Sequence, residues 1–149
     1  MKPNTQIQSK RLIREATADD AQDVVRLVRQ LGEDSGVTEV YVLHYLSGTD
    51  RHILLAENQA SEIQGLLSYS VRADLYHAGN SVLIEELVVD ESHRGEGIGG
   101  ALMNAFLERL PALDCREVCL AVMPGNEAAI RFYKRHGLVE EALFLERHF

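Results

Sequence analysis

Two stretches of this chain hold residue types and spacings that could do chemistry. The first is "RGEGIGG", Arg94 to Gly100, with four glycines in its last six residues. Gly95, Gly97 and Gly100 fit G-x-G-x-x-G, the pattern of a dinucleotide-binding turn. That pattern needs a strand running straight into the first glycine and an acid at the tip of the next strand. Here "ESHR" intervenes after Asp90, and the next strand ends in "AVMPG" without an acid. A more general phosphate cradle survives. Glycines let the backbone approach a ligand with no Cβ in the way. A helix starting at Gly97 or Ile98 leaves its first N–H groups unpaired, and its dipole adds to their pull on an anion. Arg94 adds a full positive charge. The competing reading is a tight turn that needs glycine only for a positive φ.

The second stretch is "SVLIEELVVD", residues 81–90. Glu85 and Glu86 interrupt a strand that is otherwise apolar on both faces. An acid there is costly to bury, so it needs a reason. Neighbours on a strand alternate faces, so one glutamate is expected to point each way. A buried carboxylate has a raised pKa and suits a base working near neutral pH. The competing reading leaves one glutamate in solvent or paired with an arginine such as Arg72.

These residues must be positioned by a fold, and the chain sets its bounds. Its 149 residues amount to one domain, residues 1–149. Such a chain can bury roughly two-thirds of its unfolded surface. Hydrophobic residues make up 46% and charged residues 26%, as in ordinary globular proteins. No run of about 18 apolar residues exists, so no membrane span is expected. "MKPNTQIQSKR" lacks the apolar core of a secretory signal, and a cytoplasmic location is expected. The net charge of −8 argues against nucleic acid as a partner, since phosphate backbones need a basic stripe. Cys115 and Cys119 fall on one predicted strand, roughly 13 Å apart and beyond the ~7 Å reach of a disulfide. The histidines show no H-E-x-x-H or similar spacing, so no metal is expected.

Periodicity orders the elements. "RLIREAT" (11–17) alternates as a strand. Thr17 and Asp20 resemble a capping box, opening a helix with Val24, Leu27, Val28 and Leu31 on one face and Gly32 as its stop. A short helix is read near Glu39 to Leu46. Strands follow at 52–58, 62–72 and 81–90. A helix then runs from the glycine loop to near Pro111. A strand at 116–122, a helix at 126–137 with Gly137 as C′, and a last strand or strand pair in "LVEEALFLERHF" complete the chain. The order is β-α-α-β-β-β-α-β-α-β, an α/β (α+β) chain with one sheet and helices packed against it.

At this point the residues resemble a known family. "RGEGIG" fits the Q/R-x-x-G-x-G/A signature of the GNAT superfamily of acetyl-CoA-dependent N-acetyltransferases. "IEELVVD" looks like that family's fourth strand. "NEAAIRFYKRHGLVEE" is similar to its second motif, with Asn126 at the helix start and Tyr133 seven residues on. The match runs from about Val82 to Glu140.

The resemblance implies a mixed, mostly antiparallel sheet flanked by helices, and an enzyme that moves the acetyl group of acetyl-CoA to a primary amine by direct attack in a ternary complex. It implies that the pyrophosphate lies on the amides of Arg94, Gly95, Glu96, Gly97, Ile98, Gly99 and Gly100. The pantetheine arm is implied to run beside Leu87, Val88 and Val89, in a gap opened by a bulge that the sequence does not show. An N–H of Leu87 or Val88 is then a candidate oxyanion donor. Asn126 caps its helix and is implied to touch the arm. Tyr133 is implied to protonate the leaving thiolate, although a tyrosine beside Phe132 on a helix also reads as core. For the base, Glu85 is preferred and Glu86 is second, with a water chain as a third route. Arg131, Lys134 and Arg135 are candidates for the outer phosphate, and His93 and His136 are read as surface residues.

Acceptor choice should come from outside these motifs, in "GEDSGVTEVYVLHYL", "DLYHAGN" and the last strand. Acids and aromatics there, among them Glu39, Tyr41, Tyr45, Tyr76 and His77, suit a cationic amine. A small-molecule amine is the leading acceptor. A protein N-terminus or lysine is the alternative, and a non-catalytic acyl-CoA-binding regulator is a third reading. "LFLERHF" is a candidate strand for a homodimer interface.

Overall fold

The computed structural model describes residues 11–149. Most of the N-terminal stretch read as lacking a signal therefore lies outside the described residues. Five strands form one sheet in the order of the chain: β1 (Leu12–Glu15), β2 (Arg51–Glu57), β3 (Ile63–Asp74), β4 (Gly79–Val89) and β5 (Cys115–Cys119). Pairings β1–β2, β2–β3 and β3–β4 are antiparallel, and β4–β5 is parallel. Helices α1 (Ala21–Arg29) and α2 (Glu39–Leu46) join β1 to β2, α3 (Ile98–Arg109) joins β4 to β5, and α4 (Glu127–Arg135) follows β5. No helix among the described residues is long and apolar enough to cross a membrane.

The two faces of the sheet build two cores. α1 and α2 pack Val24, Leu27 and Val42 onto Ile53, Leu55, Leu66 and Val88. α3 packs Ile98, Leu102, Met103 and Phe106 onto Leu54, Leu67, Tyr69, Val82 and Ile84, with Phe132 and Tyr133 of α4 on the same side. Gly65 on β3 lets α3 sit close, since a Cβ there would lie 3.0 Å from Ile98 Cγ2 and 3.1 Å from the Val88 carbonyl. The first turn of α3 is thereby seated directly on the sheet.

The start of α1 is held by charge. Asp20 takes the backbone N–H of Thr17 at 2.7 Å, which is the acidic half of the expected capping box. The Arg14 guanidinium donates to both Asp20 oxygens at 2.8 Å and to Glu57 Oε2 at 2.6 Å.

The end of the chain departs from the sequence expectation. Regular structure stops with α4, and "LVEEALFLERHF" forms neither a strand nor a strand pair, so the order is β-α-α-β-β-β-α-β-α. The alternation read there needs a partner ladder to become a strand. Leu138 still packs on the α3-side core, but Leu143, Phe144, Leu145 and Phe149 are exposed. β3 and β4 are longer than expected because the hairpin continues to the pair Asp74↔Gly79. Cys115 and Cys119 share β5 as read, and both are free thiols.

Candidate active site

The site is organised by one irregularity in β4. Ser68 pairs with Glu86, but Tyr69 pairs with Ile84, so Glu85 is an extra residue without a partner. This is a β-bulge, which bends a strand and breaks its alternation. The expectation that the two glutamates point to opposite faces is therefore corrected: both line one cavity on the α1/α2 face. The bulge also coincides with a split in the sheet. β5 pairs with β4 only as far as Leu83↔Cys119, so Ile84 to Val89 have no strand on that side.

Main-chain direction along the split follows from register. Asp90 N–H donates to the Gln64 carbonyl at 2.9 Å. In an antiparallel pair successive residues turn their N–H groups to alternate sides. Val88 therefore turns its N–H toward β3, and Leu87 and Val89 turn theirs to the open side.

The cavity around the bulge has a volume of about 610 Å³ and includes Tyr41, Tyr45, Arg51, Ser68, Glu85 and Glu86 among its walls. Glu85 is exposed, and its Oε2 accepts the Tyr45 hydroxyl at 2.7 Å. Burial, reinforced by Glu85, holds the Tyr45 phenol well above its usual pKa and keeps it a donor. Glu86 is half-buried and accepts the Ser68 hydroxyl, while its own N–H donates to Ser68 Oγ at 3.0 Å. Burial pushes the Glu86 carboxyl above the usual range, and the Glu85 charge pushes it further, against the lowering effect of Ser68. Arg72 is not the partner of either glutamate, since its NH2 group lies by Cys119 Sγ at 3.8 Å.

A second cavity, of about 350 Å³, lies at the glycine loop. Val89, Arg94, Gly95, Gly97, Ile98, Gly99 and Gly100 line it, with Phe132, Arg135 and His136 of the α4 region. Gly95 and Gly97 have φ of +81° and +79°, which side chains rarely tolerate. A Cβ at either would meet nothing within 4 Å, so the space over the backbone is open to a ligand. Gly97 caps α3 without a side-chain hydrogen bond, which leaves the first amides of a twelve-residue helix facing that space. The loop is pinned from behind. Arg11 donates to the Glu96 carbonyl at 3.1 Å, and the His93 ring bridges Glu96 and Glu62 at 3.0 and 3.2 Å. These features fit a pyrophosphate: open amides, no Cβ, and two arginines.

Of the three basic candidates on α4, Arg135 lines this cavity. Arg131 lies 3.8 Å from Glu127, and Lys134 lies 3.7 Å from Glu140. His136 is also in the lining, its ring 4.9 Å from that of Phe132 and tilted to it by 57°, so the surface role expected for it is corrected. Asn126 caps α4, accepting from the Ala129 N–H at 3.3 Å. Tyr133, like Leu87 and Val89, is partly buried against the α3-side core, and burial raises its pKa. Sequence reasoning missed the Ser68 and Tyr45 contacts to the glutamates and the place of Phe132. The Ser68–Glu86 contact needs the β3–β4 register, which no local pattern carries. Tyr76 and His77, also named for acceptor choice, sit in the β3–β4 turn at the other end of β4. There Asp74, His77 and Glu117 bring three possible metal-ligand atoms within 4.8 Å of one another, a grouping that residue spacing did not reveal.

Comparison with known proteins decides the family. Residues 15–138 match the model described as the Acetyltransferase (GNAT) family. The chain belongs to the GNAT family. As a GNAT protein it is an acyltransferase of the N-acetyltransferase type. A pig (Sus scrofa) thialysine N-epsilon-acetyltransferase is 28% identical over 140 residues, covering 85% of this chain and 82% of the relative. An L-methionine sulfoximine/L-methionine sulfone acetyltransferase of Pseudomonas aeruginosa is 29% identical over 85 residues, covering 57% and 49%. A crystal structure from Bacillus halodurans, described as a transcriptional regulator, superposes with a TM-score of 0.82 at 24% identity, over 94% of this chain and 100% of that one, which shows the shared GNAT fold.

Proposed function

We propose that this GNAT enzyme, acting as one domain over residues 1–149, transfers the acetyl group of acetyl-CoA to a primary amine of a small molecule. The bulge at Glu85 carries the reading. It opens the split beside Leu87 and Val89 and brings two carboxylates to one cavity, so main-chain donors and a base meet at one place. The volume of that cavity, about 610 Å³, is in the range of small-molecule sites, which favours a small acceptor. The two curated relatives act on small amines by name, which agrees.

Acetyl-CoA supplies an activated acyl group with a thiolate leaving group. The amides of Gly95 to Gly100 hold its pyrophosphate, and Arg94 and Arg135 add charge. Leu87, Val88 and Val89 form the rail for its arm, with the outward N–H groups of Leu87 and Val89 as donors and Asn126 beside them. The Leu87 N–H serves the developing oxyanion, since Val88 spends its own on β3. Glu86 takes the proton from the acceptor ammonium, because its raised pKa suits a base and Ser68 holds it in place. Glu85 and Tyr45 orient the incoming cation. Tyr133 returns a proton to the thiolate.

Melting curves with acetyl-CoA, coenzyme A and NAD test the cofactor, since a ligand of the folded state raises Tm by mass action. The two coenzyme A compounds should raise it and NAD should not; the reverse order, or no shift at millimolar coenzyme A, sinks the reading. Release of free thiol with a panel of small amines then separates catalysis from binding alone. Tyr133→Phe should slow the chemical step without abolishing it, because a thiol of pKa near 8.5 leaves tolerably unaided. An unchanged single-turnover rate in that variant would mean that Tyr133 only packs.

A further inference from the structure

The acceptor cavity is not uniformly suited to a cation. Arg51, the first residue of β2, is also in its wall. Its pair across the sheet is Ser70, so both side chains stand on the α1/α2 face, and Ser70 Oγ lies 3.3 Å from Glu85 Oε1. The Arg51 guanidinium lies over the Tyr45 ring, 5.3 Å from its centroid, while the hydroxyl of the same ring reaches Glu85. One tyrosine side chain thus separates a cation from an anion along the cavity.

The guanidinium has room and little company. It rests against Gly48, where any Cβ would come within 2.6 Å of its Nε. Its Nε–H is sealed from solvent and has no hydrogen-bond acceptor among the described residues. Asp50 Oδ1 is 3.6 Å away, beyond a good hydrogen bond, and belongs to an exposed side chain. An enclosed donor without an acceptor is unfavourable, and an anion that draws the guanidinium forward relieves it. Arginine suits this task, because its planar fork takes a carboxylate or phosphate on two parallel N–H bonds.

We infer that Arg51 is an anion-binding residue of the acceptor site, and that the acceptor is an amine that also carries an anionic group, with its ammonium at Glu85 and Glu86 and its anion at Arg51. This rests on reading the cavity as the acceptor site of an acetyltransferase. It sets such molecules apart from polyamines, which offer Arg51 only another positive charge.

Two matched pairs of acceptors test it: L-lysine against L-lysinamide for a carboxylate, and glucosamine 6-phosphate against glucosamine for a phosphate. The wild-type enzyme should show a KM at least tenfold lower for the anionic member of one pair, and the pair that responds identifies the anion. Arg51→Met should raise that KM about tenfold or more and leave that of the partner lacking the anion within threefold. Arg51→Lys should recover part of the loss. Members without the anion used as well as anionic ones in both pairs, or a variant that affects both members alike, overturns the inference. If acetyl-CoA binds but no amine releases thiol, the acetyl-transfer reading fails separately. Equilibrium binding of the same pairs to the coenzyme A-loaded protein then decides Arg51: preference for an anionic member that Arg51→Met removes supports the subsite, and no such preference rejects it.

Discussion

Glu86→Gln should lower kcat/KM by about 10²- to 10⁴-fold and leave acetyl-CoA affinity unchanged, the range expected when a general base is removed. Glutamine keeps the shape and can still accept from Ser68, so the loss isolates proton transfer. The pH dependence gives an independent check. A carboxylate acts as base only when ionised, so the wild-type rate climbs as pH rises through the elevated Glu86 pKa. In Glu86→Gln that acid limb should vanish. Stability should move the other way. A carboxyl with a raised native pKa favours folding below its unfolded pKa and loses that benefit as pH climbs through the native value. At neutral pH the glutamine variant should therefore melt no lower than wild type. Glu85→Gln is the control. Glu85 is exposed and held by Tyr45, so its loss should show mainly in acceptor KM. A Glu86→Gln enzyme of full rate, or a Glu85→Gln enzyme that loses its acid limb instead, would exchange the two roles.

Arg14→Met should cost about 3–5 kcal/mol of folding stability, the usual penalty for stranding a buried charge. Two carboxylates share this one cation, with side chains only 9% (Asp20) and 17% (Glu57) exposed. For a domain of this size the loss corresponds to a fall in Tm of roughly 10 °C. Acid should expose the same contact. Arg14 holds the Asp20 carboxyl down from 3.8 to about 2. A depressed acid contributes stability above its unfolded pKa and loses it as pH falls through the native one. The wild-type protein should lose about 2 kcal/mol between pH 4 and pH 2 from this group. Arg14→Met should show a flatter curve there, so the two proteins converge at low pH. Parallel curves across that window would show that the network contributes little.

The extent to which the site was readable depends on range in sequence. The glycine loop, the Asn126 cap and the helix over Glu39–Leu46 were legible because each is set by neighbours within a turn or two. The sheet class was legible because strand patterns and turns are local as well. The bulge was not, because it exists only in the register between Ser68–Tyr69 and Ile84–Glu86. Without it, alternation assigns the glutamates to opposite faces. Tyr45 and Arg51 were invisible as partners of the same cavity, because α2, β2 and β4 come to its walls only in three dimensions. The C-terminal segment failed in the opposite way, with a strand pattern but no strand to pair with.

The split in the sheet also bears on how the molecule avoids its own kind. A free strand edge invites another chain to add a strand, and proteins guard such edges by shortness, bulges and charge. The outer strands here are short, β1 with four residues and β5 with five. The long unpaired run, Ile84 to Val89, opens inside the sheet instead of at its rim. It begins at a bulge and has two carboxylates beside it. An incoming polypeptide strand would have to match a broken register and strip water from those charges. A slender amide-bearing chain, with no side chains to seat, has neither obstacle. The feature proposed to seat the cofactor arm is thus also a guard against edge-to-edge aggregation.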